Sequence, residues 1–194
     1  MPQQTAESVL AANVKAAIET YQSLAPLAAP LGRAVELITA CLTSGHKLLS
    51  CGNGGSAADA SHFATEFVSR FSANRKPFPA IALTDFGSTI TAIGNDYAFE
   101  QVFARQVRAF GQRGDVLVCF TTSGQSRDIL LALEAAKEVG VQSVCFLGKG
   151  GGFTRGVADV ELIVPGQVTA RIQEAHLVLY HSLCEMVDKV LVTL

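Results

Sequence analysis

The sequence predicts a three-layer α/β sandwich built on a parallel sheet, and three observations carry that expectation. Short apolar runs recur along the chain, helical patterns separate them, and two of the runs end in turns rich in glycine and hydroxyl side chains. Strands that are apolar throughout are buried on both faces, which is the situation of a parallel sheet covered by helices.

The elements follow in order. Val9, Leu10, Val14, Ala17, Ile18 and Tyr21 recur at helical spacing and form one apolar stripe. A second helix is expected from about Arg33 to Thr43, stopped at Ser44-Gly45. Both precede the first strand, so residues 1–45 read as a helical extension suited to packing against another subunit, and residues 46–194 as the α/β core of one domain. Five strands are expected: Lys47 to Cys51, Ala80 to Leu83, Asp115 to Phe120, Val141 to Phe146 and Val160 to Val164. Helical patterns lie between them, among them Ala57 to Phe71 and Arg127 to Glu138. Ala170 to Leu194 reads as one long helix. Its apolar residues (Leu177, Leu179, Leu183, Met186, Val187, Val190, Leu191) face more than one side, which implies burial in an oligomer. The expected strand order is the flavodoxin-like 2-1-3-4-5.

Composition narrows the function. A chain of 194 residues with 49% hydrophobic and 16% charged residues has ample material for a core. A net charge of −2 lacks the positive field that gathers nucleic-acid backbones. The five cysteines form no CxxC pair, and Cys51, Cys119 and Cys145 fall in apolar runs, so they are expected as reduced core thiols. The N-terminus shows no basic stretch followed by an apolar run, and no apolar segment is expected to reach the roughly 18 residues that span a bilayer. No membrane association and a cytoplasmic location are the expectations.

The chemistry starts at the two turns. The first strand runs into Gly52-Asn53-Gly54-Gly55-Ser56, and the third into Thr121-Thr122-Ser123-Gly124-Gln125-Ser126; each opens a helix. In the expected strand order the two turns face each other across the switch point, where open α/β sheets bind ligands. Backbone N–H groups at a helix start attract phosphate, and Thr121, Ser123 and Ser126 add hydroxyl donors. Neither turn is a GxGxxG fingerprint or a Walker loop, so a phosphate on something other than a nucleotide is the stronger reading.

Acid, base and metal candidates lie on two helices. His62 and Glu66 stand four residues apart and share a face. The last helix carries Gln173, His176 and His181. Gln173 and His181 are separated by about 12 Å of rise and roughly 80° of rotation. One metal shared by His62, Glu66, Gln173 and His181 therefore requires extended side chains leaning together, and glutamine suits a closed structural zinc site poorly. Asn95-Asp96 reads as an exposed polar turn, able to bond sugar hydroxyls.

Five segments in this order (CGNGGSAADASHFATEF, ITAIGNDY, GDVL, TTSGQS, and ARIQEAH followed by His181) resemble the phosphoheptose isomerases of the sugar-isomerase (SIS) fold. The resemblance implies conversion of sedoheptulose 7-phosphate to D-glycero-D-manno-heptose 7-phosphate, for heptose and lipopolysaccharide precursors. It implies a homotetramer with active sites between subunits, and a bound zinc. Carried onto this sequence, Asn53, Gly54, Gly55 and Ser56 would contact substrate, with Gln173 and Glu66. Thr121, Thr122, Ser123 and Ser126 would hold the phosphate, and Asn95 and Asp96 would touch the sugar. Glu66 would be the base and His181 its acid partner, with His62, Glu66, Gln173 and His181 as zinc ligands. Ala170 stands where some members carry aspartate. The alternatives are a non-catalytic adaptor of the replication-initiator-associating type, a sugar-phosphate sensor with the pocket and no base, and an isomerase of another phosphosugar. The adaptor relative lacks the helix glutamate and the late histidine that this chain keeps as Glu66 and His181.

Overall fold

The computed structural model describes residues 5–192. Helices α1 (Ala6–Gln22) and α2 (Ala28–Thr43) come first. Then β1 (Leu48–Gly52), α3 (Gly55–Val68), β2 (Ala80–Ala82), α4 (Gly87–Asp96), α5 (Val102–Phe110) and β3 (Val116–Thr121) follow. The chain closes with α6 (Arg127–Val139), β4 (Gln142–Leu147), β5 (Val160–Ile163) and α7 (Thr169–Leu191). The five strands form one parallel sheet in the order β2-β1-β3-β4-β5.

Alternation along the strands assigns each face. Leu48, Val116, Val118, Phe120, Val144, Phe146 and Leu162 point to the side covered by α2, α3 and α7. Leu49, Cys51, Leu117, Cys119, Cys145 and Leu147 point to the side covered by α4, α5 and α6. Cys51, Cys119 and Cys145 stand in register on neighbouring strands, and all five cysteines are free and buried. The N-terminal helix α1 lies outside both cores. None of its residues is buried, and its stripe of Val9, Leu10, Val14, Ile18 and Tyr21 is exposed.

Several expected boundaries move, each for a local reason. Helix α2 begins five residues before Arg33, because Pro30 falls in its first turn, where a missing N–H is harmless. Helix α3 stops at Val68 rather than Phe71, where the Arg75 guanidinium takes the carbonyls of Glu66 and Phe67. Asn95 and Asp96 do not form a turn; they are the last two residues of α4. Helix α7 ends at Leu191, and residues 193–194 of the expected helix lie outside the described residues. The stretch Ala25–Thr43 reaches 19 residues and is apolar enough by composition to span a membrane, against the expectation for the chain. Its apolarity has a place in this fold: Ala34, Val35, Ile38, Cys41 and Leu42 are buried in the core beneath the sheet.

Candidate active site

The turn after β1 and the turn after β3 face each other, as adjacent strands of the switch point require. Asn53, Ser56, Phe120, Thr121, Thr122, Ser123 and Ser126 line a small cleft of about 130 Å³ between them. Gly54 precedes α3 with φ +55°, a conformation that side-chain-bearing residues rarely adopt. The second turn is tied internally. Thr121 Oγ1 lies 3.2 Å from Ser126 Oγ and accepts the Gly124 N–H, while Ser123 Oγ accepts the Gln125 N–H. A glycine-rich stretch, Lys149–Thr154, braces the turn from behind. Thr154 Oγ1 donates to the Gly124 carbonyl at 2.7 Å, and a Cβ on Gly124 would sit 1.9 Å from the Gly151 carbonyl oxygen. The cleft thus offers hydroxyls, backbone N–H groups and the start of α6, a combination suited to phosphate.

Asp128, in the first turn of α6, is a cleft neighbour that the sequence reading did not single out. Both of its carboxylate oxygens accept from Asn53 Nδ2, at 3.0 and 2.8 Å. Burial pushes its pKa up, while the Asn53 amide opposes that shift. The bond fixes the Asn53 amide at the mouth of the first turn. An acid placed just after Ser126-Arg127 was the available signal.

The second half of the site lies where α3 meets α7. His62 Nε2 is 2.7 Å from Glu66 Oε1, and His181 Nε2 is 3.9 Å from the same oxygen. The two imidazoles meet edge to face, with centroids 5.1 Å apart. Ligand atoms of His62, Glu66 and His181 all lie within 4.8 Å of one another. His181 Nε2 is buried with no hydrogen-bond partner among the described residues, and burial, then His62, lowers its pKa against the pull of Glu66. A buried nitrogen without a partner, facing a carboxylate and a second imidazole, fits a divalent cation with borderline-soft preferences such as zinc.

Gln173 lies elsewhere on the same helix pair. Its amide packs so closely on Gly55 that a Cβ there would stand 2.2 Å from Nε2. Helix α3 rises roughly 10 Å from Gly55 to His62, and the Gln173 amide packs against its first residue. Helices α3 and α7 therefore run alongside each other in the same direction, with Gln173 opposite Gly55 and His181 opposite Glu66. Asn95 and Asp96 are exposed, bonded to each other at 2.8 Å, and stand apart from the cleft lining. His176, fully buried on α7, bonds the Leu147 carbonyl at 3.1 Å and packs the helix against β4.

Two further groups brace the cluster. Tyr180 Oη lies 2.9 Å from His62 Nδ1. Asp188 on α7 pairs with Arg75 and accepts from the N–H groups of Ser72 and Ala73, and Arg75 holds the end of α3. Burial alone would raise the Asp188 pKa; the Arg75 and backbone hydrogen bonds outweigh it and hold the carboxyl below the usual range. Asp59, also on α3, is pushed up to about 6 by burial, and its Oδ2 has no hydrogen-bond partner among the described residues.

Comparisons with known proteins agree with this geometry. Residues 11–148 match the SIS domain family. The chain is 51% identical over 155 residues to a phosphoheptose isomerase of Clostridium acetobutylicum, covering 80% of this chain and 79% of that one. It superposes on a phosphoheptose isomerase from Neisseria gonorrhoeae with a TM-score of 0.89 and 42% identity, covering 95% of this chain and all of that one. A phosphoheptose isomerase from Francisella tularensis gives a TM-score of 0.85 and 40% identity, over 94% of this chain and 96% of that one. On this evidence the chain belongs to the SIS domain family and, within it, to the phosphoheptose isomerases.

Proposed function

We propose that this chain isomerises sedoheptulose 7-phosphate to D-glycero-D-manno-heptose 7-phosphate, feeding heptose and lipopolysaccharide precursor synthesis. The observation that carries the reading is the spacing of the two half-sites on one groove. Gly55, His62 and Glu66 lie on one face of α3, and the Glu66 side chain leans back toward the helix start, which leaves roughly 10 Å between the phosphate cleft and its carboxylate. An extended chain of single bonds advances about 1.2 Å per bond, so the eight bonds from C1 to phosphorus span about 9–10 Å. The opened sugar thus reaches from one half-site to the other.

Thr121, Thr122, Ser123 and Ser126 bind the phosphate and hold the reacting carbons in place from a distance, using binding energy remote from the chemistry. Asn53, Ser56, Gln173 and the N–H groups after Gly54 and Gly55 meet the sugar hydroxyls nearest α3. Glu66 moves the proton between C1 and C2 through an enediolate, and His181 exchanges protons with the oxygens. Glu66 can serve two partners because its oxygens differ: Oε1 faces the imidazoles, while no hydrogen bond engages Oε2 among the described residues. His62, Glu66 and His181, with Gln173, would hold zinc, which when bound supplies Lewis-acid polarisation of the carbonyl. The exposed apolar stripe of α1 supports assembly, as a homotetramer with active sites at subunit boundaries.

The test is a coupled turnover assay on purified protein with sedoheptulose 7-phosphate, before and after chelation. Turnover lost on chelation and restored by zinc supports the isomerase and the metal together. Turnover that survives thorough chelation keeps the isomerase and removes the metal. Absence of turnover, with ligand still raising the melting temperature, would sink the catalytic reading in favour of the adaptor.

A further inference from the structure

Tyr180 is fully buried, yet its hydroxyl reaches the site. Its ring packs edge-on against Phe63 and Phe120, with centroids 6.2 and 5.8 Å away, so the hydroxyl is carried on a rigid body. The one hydrogen bond that this hydroxyl makes among the described residues goes to His62 Nδ1, at 2.9 Å. The opposite ring nitrogen, Nε2, faces Glu66 Oε1 at 2.7 Å. His62 is thus gripped at both nitrogens, by a group from the core and by the carboxylate of the site.

We propose that the Tyr180 hydroxyl is the positioning residue that aims His62 Nε2 at Glu66 and at any cation bound with it. The chemistry of the donors requires such a partner. A carboxylate only accepts, so in the neutral imidazole of the metal-free protein Nε2 carries the proton and donates to Glu66, which leaves Nδ1 as the acceptor. The Tyr180 O–H donates to it. A cation on Nε2 needs that nitrogen's lone pair; Nε2 then gives up its proton to solvent, Nδ1 takes one, and Nδ1–H donates to the Tyr180 oxygen. A hydroxyl can fill both roles without moving, because it is donor and acceptor at once. A methyl or phenyl edge at that place could fill neither. Histidine ligands generally depend on such a partner at the far ring nitrogen, and losing it weakens metal binding by about 10–100-fold.

The proposal rests on the reading of His62 as a ligand of the isomerase site, and its test separates the two. Two-dimensional 15N–1H spectra of metal-free wild-type protein at pH 8 should show His62 with Nδ1 bare and Nε2 protonated. Tyr180→Phe keeps the ring in the core and removes only the hydroxyl. In the folded variant Nε2 should stay protonated against Glu66 while the Nδ1 resonance moves to that of a bare nitrogen with no donor, and zinc affinity, read by competition with a chromophoric chelator, should fall about 10-fold or more. A wild-type His62 with Nε2 bare would overturn the proposal without any variant. So would a folded Tyr180→Phe protein that keeps the wild-type nitrogen shifts or the wild-type zinc affinity, or wild-type protein that takes up no zinc. Neither readout involves sugar. If both change as expected while sedoheptulose 7-phosphate is not turned over, the positioning role stands and the substrate assignment falls.

Discussion

The two halves of the site are built in opposite ways. The phosphate cleft is assembled from two short contiguous turns, each directly after a strand, and its donors are mostly backbone N–H groups and hydroxyls within six residues of one another. The acid–base cluster joins side chains from α3 and α7 that stand 115 residues apart between Glu66 and His181. A turn of the first kind is held by its own backbone and by the Lys149–Thr154 stretch behind it. A cluster of the second kind exists only if α3 and α7 are docked correctly, which is the work of Arg75, Asp188, Tyr180 and His176. The comparison teaches that binding and chemistry should be separable by mutation.

The largest expected effect falls on chemistry alone. Glu66→Gln should lower kcat by about 10²–10⁴-fold. Phosphate-analogue binding, measured by calorimetry, should stay near wild type, and a fully active, folded variant would remove Glu66 as the base.

Next comes the brace. Arg75 and Asp188 have side chains only 3% exposed, so Asp188→Ala leaves a buried guanidinium unpaired. Breaking such a pair destabilises by about 3–5 kcal/mol, to be read from denaturant unfolding. Below the melting point the loss of turnover should exceed the loss of phosphate affinity, because Arg75 holds the Glu66 end of α3 and not the cleft. Equal losses would contradict the separation.

Acid should act next, through His176. Burial holds its pKa down at about 4, against 6.5 for the unfolded side chain. Between those values the unfolded chain binds the proton and the folded one does not, so stability falls as pH drops through that window, by about 1.4 kcal/mol per unit. The wild-type unfolding free energy measured from pH 7 to pH 4 should show this slope. His176→Gln should flatten it, and an unchanged slope would assign the acid sensitivity to other groups.

The smallest effect tests the cleft. Gly124 has φ +62°, and an added Cβ would meet the Gly151 carbonyl. Gly124→Ala should lose at least about 1–2 kcal/mol of stability from backbone strain. It should also raise KM for the phosphosugar while leaving zinc affinity intact. A variant with lowered zinc affinity and unaltered KM would reverse the assignment of the two half-sites.

Much of this was legible in the sequence because it is local. Apolar runs of four to six residues between helical patterns determine a parallel sheet, since only burial on both faces explains them. Glycine and hydroxyl residues directly after β1 and β3 determine a phosphate-ready turn, since the backbone that binds is the backbone that turns. The spacing of His62 and Glu66 determines a shared helix face. Tertiary structure decided what depends on docking. It brought His181 to Glu66 and laid Gln173 over Gly55. It made Asn95 and Asp96 the end of a helix, and it turned a core tyrosine into a partner of His62. The physical reason is range. Turn geometry and helix periodicity act within a few residues, whereas the direction of a side chain on α7 relative to α3 is set by how the whole apolar face between them packs.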